Sequence, residues 1–198
     1  MSAKESNQAK KLTVLFVAVD MVGHLNPCIA VAEQLVATGH RAVFALERSW
    51  SGQIADRYAG IEEVLFTDPM RDPALKPNQF WVENTKLLMG NFHLEGVEKV
   101  VAAFSSSDGF KMLLLHALLP VDDQLVEIIE SRVKPDVIVV DAFKTVPAVW
   151  HSGRPWGRAF SAAPLSFVRS SDLPPPGSGI FNFRFCIINN KKNQSSFL

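Results

Sequence analysis

Net charge, cysteine and long apolar runs are all scarce in this 198-residue chain. Lys plus Arg (20) balances Asp plus Glu (20), so no overall field draws the chain to nucleic acid or to an anionic membrane. A small molecule or another protein is the expected partner. The two cysteines, Cys28 and Cys186, have no CxxC spacing and give neither a disulfide framework nor a zinc site. Cys28 falls inside a helical pattern and reads as a small buried thiol. No run of about 18 apolar residues is present. The polar lead MSAKESNQAKK lacks the apolar core of a signal peptide, and a cytoplasmic protein is expected. HExxH, GxGxxG and Walker patterns are missing too, so no metal ligand set or nucleotide fingerprint is expected.

What remains is ample for a core: 47% of the residues are hydrophobic and 20% charged. LTVLFVAV (12–19) is a near-continuous apolar run of the kind found in strands buried on both faces. Pro27 suits the first turn of a following helix, with Ile29, Ala32, Leu35 and Val36 at helical spacing and Gly39 as its C-cap. RAVFAL (41–46) and IEEVLF (61–66) supply further strands, and Ser49 or Ser51 suits the cap of a short helix through Tyr58. Together these are βαβαβ, the pattern of a parallel sheet. A Pro-rich loop (68–77) leads to an apolar helical segment from Phe80 to His116, divided by SSSDG at 105–109. The alternating scheme then resumes with a helix over 121–131, the strand DVIVV (136–140), a short helix VPAVW (146–150) and a fifth strand, WGRAFSA (156–162).

Ligands of an open α/β sheet bind beyond the carboxyl ends of its strands. His24 follows the first strand and Asp141 follows DVIVV, so both belong to the same sheet edge. A carboxylate bonded to one imidazole nitrogen fixes the tautomer and raises the basicity of the other, which can then take a proton from a substrate hydroxyl. The competing reading makes both residues helix caps. Asp20 is an alternative partner for His24. Gly23, at the helix start, can admit an anion to free N–H groups. The apolar segment is either core or the wall of a cleft for a small apolar ligand, and His93 within it is a further contact residue. His40, His116 and His151 read as packing or surface groups.

GHLNPCIAVAEQL (23–35) and KPDVIVVDAF…PAVWHSGRPWGRAFSAAP (134–164) resemble the UDP-glycosyltransferases of the GT-B fold (glycosyltransferase family 1). So does DLPPPGSG (172–179), which is similar to the stretch that follows there. The resemblance implies the N-terminal, Rossmann-like half of that two-domain fold. It implies His24 as general base and Asp141 as the residue that orients and charge-balances it. An acceptor hydroxyl would attack the anomeric carbon of a UDP-sugar such as UDP-glucose with inversion, with no bound cofactor. The acceptor would be small and lipophilic, its cleft lined by Phe80, Met89, Phe92, His93 and Phe143, with Gly23 near the donor phosphates.

The implied organisation is a polar lead (1–11), an acceptor-binding domain (12–172), a linker (173–179) and an irregular tail (180–198). Nothing after Gly179 resembles the family's donor-binding domain. The expectation is therefore a truncated acceptor half with little activity alone, prone to self-association through an apolar face left bare. The alternative is a non-catalytic small-molecule-binding or interaction module built from the same half. A nicotinamide-dependent oxidoreductase is disfavoured by the missing GxGxxG and by the absence of an acidic residue closing the second strand.

Overall fold

Five strands form one parallel sheet in the computed structural model, which describes residues 10–69, 71–90, 93–105, 121–142 and 146–161. The strands are β1 (Thr13–Ala18), β2 (Arg41–Glu47), β3 (Ile61–Phe66), β4 (Val137–Asp141) and β5 (Trp156–Arg158). Their spatial order is β3-β2-β1-β4-β5. The chain builds outward from β1 in one direction and then returns to build on its other side. This is the expected Rossmann-like, doubly wound α/β class, with its switch point between β1 and β4.

The alternation along β1 explains why both faces are covered. Leu15, Val17 and Val19 belong to one apolar cluster, with Leu125, Ile128 and Ile129. Val14, Phe16 and Ala18 belong to the other, with Leu25, Cys28, Ile29 and Ala32. Phe16 and Phe44 are register partners, and their rings stack at 4.7 Å. A strand apolar at every position is stable only between two such layers.

Helix α1 (Val22–Ala37) begins five residues earlier than the expected start at Pro27. Pro27 sits inside it, where its nitrogen cannot donate to the carbonyl of Gly23. An interior proline costs about 3 kcal/mol. Full burial of Leu25 and Ile29 contributes about 1.5–3 kcal/mol each and offsets it. The C-terminus matches expectation. Gly39 (φ +88°) donates to Val36 O and His40 to Leu35 O, both at 2.9 Å, a Schellman closure that needs the left-handed residue.

The helix expected up to Tyr58 is absent. Glu47, rather than Ser49 or Ser51, caps a single 3-10 turn (Arg48–Trp50) by accepting the Ser49 N–H at 2.8 Å. The turns that follow give their N–H groups to Glu63, whose carboxylate accepts from Gly52, Ile54 and Ala55 at 2.7, 2.7 and 2.9 Å. Those bonds tie the turns to β3, and the helical-type bonds within them are isolated ones, Asp56 N–H to Gly52 O at 3.3 Å and Tyr58 N–H to Ile54 O at 2.9 Å. Glu47 also corrects the expectation that no acid closes the second strand.

The apolar segment breaks earlier than SSSDG. Helix α2 (Gln79–Met89) ends before Gly90, and α3 (Gly96–Ser105) starts at Gly96 with φ +57°. Helix α4 (Asp122–Glu127) widens into a π turn (Ile128–Val133) closed by left-handed Lys134, whose N–H reaches back to Ile129 O at 3.2 Å. That widening turns Ile128, Ile129 and Val133 together into the core. Helix α5 (Pro147–Trp150) is the expected short helix. β5 is shorter than expected, because past Ala159 the chain turns off the sheet toward α1. The tail from 162 onward lies outside the described residues, as does the expected domain limit at 172. No helix among the described residues is long and apolar enough to cross a membrane.

Candidate active site at the β1–β4 switch point

Register places the chemistry. Ala18 pairs with Asp141, and the Val19 N–H continues that pairing to Asp141 O at 2.9 Å. A tight turn follows, with Met21 N donating to Val19 O at 2.7 Å, and α1 starts at once. His24 therefore stands in the first turn of α1, directly beyond the ends of β1 and β4. Its Nδ1 lies 3.0 Å from Asp141 Oδ1, across 117 positions of sequence, and the two residues are 4% and 3% exposed. An ionised carboxylate only accepts, so this bond puts the imidazole proton on Nδ1 and the basic lone pair on Nε2.

The capping alternatives fall away. Position Met21 caps α1 without a side-chain bond, and the Val22 N–H is met by Asn78 Oδ1 at 3.3 Å. Asn78 reaches it from a left-handed conformation (φ +65°). Asp141 does not cap α5; Asp122 does, by accepting the Ala148 N–H at 2.8 Å. Oδ2 of Asp141 is buried and has no hydrogen-bond partner among the described residues. The carboxylate's influence reaches one helical turn further, to Cys28. Burial first, and then the charge of Asp141, push that thiol up to about 12, so it stays protonated and is no nucleophile.

Ser161 is the residue that sequence reasoning missed. Its Oγ lies 2.9 Å from the same Nδ1. Serine, histidine and aspartate thus meet, but not as a hydrolase triad. In a triad the serine addresses Nε2 and the carboxylate Nδ1, so that one nitrogen takes the serine proton. Here both address Nδ1, and the ring cannot relay a proton between them. This geometry excludes Ser161 as the nucleophile of a triad with His24.

Asp20 is not the partner of His24. It accepts both Nη atoms of Arg71 and the indole N–H of Trp81, while Arg71 Nε donates to Asp68 Oδ2 at 3.1 Å. All four residues are nearly buried. Burial alone would lower the Arg71 pKa. The Asp20 hydrogen bonds and the charges of Asp20, Asp68 and Glu47 outweigh it and hold the guanidinium above its ordinary value. With Asn78, this network ties the loop after β3 to the turn that carries His24. No motif announces it, since its members lie 51 and 61 residues apart.

The other expected site residues are more dispersed. Gly23 is exposed in the first turn of α1, and a side chain built there would meet nothing within 4 Å. Phe80 is half-buried, with the Arg71 guanidinium 4.4 Å over its ring and Trp81 edge-on at 5.1 Å. His93 is exposed in the turn between α2 and α3. Met89 closes α2, and its side chain lies outside the described residues, as do Phe92 and Phe143. His40 is structural: its Nδ1 accepts the Leu12 N–H at 3.1 Å. No group of three metal-ligating side chains occurs among the described residues.

No protein-family model and no curated protein matches the chain. Solved structures do. Arabidopsis thaliana UGT89C1 complexed with UDP-L-rhamnose is similar at 17% identity and TM-score 0.40, over 67% of this chain and 30% of that one. The same protein complexed with quercetin is similar at 17% identity and TM-score 0.36, over 66% and 29%. CalG4, the calicheamicin glycosyltransferase, is similar at 19% identity and TM-score 0.38, over 78% and 32%. This chain thus spans about a third of the length of those structures.

Proposed function

We propose that His24 is the general base of a UDP-sugar-dependent glycosyltransferase and that Asp141 holds it in the working tautomer. The observation that carries this is the buried Nδ1–Oδ1 bond of 3.0 Å at the switch point of the sheet. The acceptor hydroxyl gives its proton to Nε2 as its oxygen bonds to the anomeric carbon. The bond from that carbon to the UDP oxygen breaks, UDP leaves with the electron pair, and the configuration inverts. The resulting imidazolium is balanced by Asp141. The N-terminus of α1 favours the donor phosphates through the Gly23 N–H and the helix dipole, the Val22, His24 and Leu25 N–H groups being bonded within the protein. The acceptor is a small lipophilic alcohol or phenol; Phe80, Met89, Phe92, His93 and Phe143 are proposed as its contacts. The donor class rests on the GHLNP and DAF resemblance, and a cytoplasmic setting suits a nucleotide-sugar donor.

The enclosure of His24 favours a second reading, a non-catalytic binding module in which the imidazole only packs. One pair of assays separates the two. The purified chain is given UDP-glucose and a panel of flavonols and phenols, and 4-nitrophenol is bound to it separately. Base chemistry gives glucoside, lost by about 10²–10⁴-fold in His24→Ala, and ionises bound nitrophenol only when His24 is present. Binding with neither transfer nor His24-dependent ionisation refutes the base assignment in favour of the module.

A further inference from the structure

We propose that Ser161 is a positioning residue for His24: its hydroxyl shares Nδ1 with Asp141 and helps to hold the imidazole proton on that nitrogen. The inference rests on the reading of His24 as a base and extends it to a third strand. β5 pairs with β4 so that Arg158 lies beside Val140, and Ala159 N donates to Val140 O at 2.8 Å. Ser161 therefore arrives two residues past the last bond of the sheet, at the same edge as Ala18 and Asp141. Three adjacent strands, β1, β4 and β5, lead to a single imidazole.

The electrostatics decide which way the serine bonds. Asp141 Oδ1 at 3.0 Å and Ser161 Oγ at 2.9 Å compete for one nitrogen that carries at most one proton. With the proton on Nδ1, both oxygens accept and the N–H bond is shared. With the proton on Nε2, Ser161 can turn and donate to Nδ1, but the carboxylate then faces a lone pair at the same short distance. Repulsion between two electron-rich atoms, both buried, disfavours that arrangement. The negative charge of Asp141 thus forces Ser161 into the accepting role, and the serine adds a second acceptor to the productive tautomer. Asp141→Asn would remove the constraint. Both the amide and the serine could then donate to Nδ1, and the proton would move to Nε2, where it blocks base chemistry.

The test is ¹⁵N NMR of the imidazole nitrogens of His24 in the full chain, with circular dichroism to confirm folding. Wild type is expected to show protonated-type Nδ1 and lone-pair-type Nε2. Ser161→Ala is expected to raise the share of the Nε2–H tautomer and speed Nδ1–H exchange by about two- to tenfold, the worth of one hydrogen bond. Ser161→Thr should restore the wild-type pattern. Ser161→Cys, similar in size but a weak acceptor, should resemble alanine and serves if alanine does not fold. In Asp141→Asn, adding Ser161→Ala should return part of the proton to Nδ1. Unchanged tautomer and exchange in both Ser161→Ala and Ser161→Cys would overturn the proposal. None of these spectra needs turnover. A spectral change with neither glycosyl transfer nor His24-dependent ionisation of bound 4-nitrophenol therefore sinks the base reading alone, and an unchanged spectrum with either of them intact sinks the positioning role alone.

Discussion

Replacing Arg71 with methionine tests how far the turn bearing His24 depends on a buried ion network. The substitution preserves much of the side chain's reach and removes three hydrogen bonds, two to Asp20 and one to Asp68. Those carboxylates are 4% and 6% exposed, so water cannot replace the lost guanidinium. Removing one partner from a buried pair costs about 3–5 kcal/mol, chiefly because the remaining charge is stranded. Losing the cation over Phe80 adds about 0.5–1 kcal/mol. Methionine returns part of this through apolar contact, leaving an expected loss of about 3–5 kcal/mol from a total of roughly 5–15. At about 2–4 °C per kcal/mol for a chain of this size, Tm should fall by about 10 °C. Thermal and urea unfolding read this directly. Adding Asp20→Asn should recover part of the loss at neutral pH. A Tm change under about 2 °C, or a double variant no more stable than Arg71→Met alone, would refute the reasoning.

Two further expectations concern stability away from the site. Gly60 has φ +82°, and a Cβ there would stand 2.7 Å from Val36 Cγ1, so Gly60→Ala should cost about 1–3 kcal/mol in urea unfolding; a neutral result would contradict it. Asp136 is held below its ordinary 3.8 by the Thr13 backbone N–H first and Lys10 second, and Glu62 below its ordinary 4.5 chiefly by its hydrogen bond to Arg41. Depressed carboxylates stabilise above their unfolded values and lose that contribution as pH falls through the folded ones. Asp136→Asn and Glu62→Gln should therefore flatten the stability profile below about pH 4.5 while changing little of its slope near pH 7.

β1 and β2 were legible because burial on both faces leaves a mark in nearly every residue, and β3 and β4, partly exposed along their length, still lie within about one residue of their apolar runs. Helix starts were not, because the signal at Pro27 describes one bond, whereas the helix is extended by Leu25 packing beneath the sheet and by Asn78 arriving from far along the chain. His24 and Asp141 could be paired from sequence because strand ends share an edge in a parallel sheet, so topology alone brings them together. Ser161 and Arg71 could not. A serine past a short edge strand has no pattern, and ion pairs between loops obey no period. Glu63 shows the same limit from the other side: a charged residue in a strand reads as solvent-facing, yet it collects three backbone N–H groups and ties the turns after β2 to β3.

The strand order has a consequence for how the molecule assembles. β1, β2 and β3 are neighbours in both sequence and space, and their pairings close short loops. β4 joins β1 only after more than a hundred intervening residues, in a register that sets Val14 against Val137. Closing so large a loop adds little to the final stability but delays the step, because the entropy is lost before the contacts form. Before that step, His24 is an imidazole at the head of a helix with no counter-ion, and the first half of the sheet has an open edge at β1. The His24–Asp141 pair exists only once β4 has docked on β1, so the site proposed for the chemistry and the joining of the two halves of the sheet arrive in the same event.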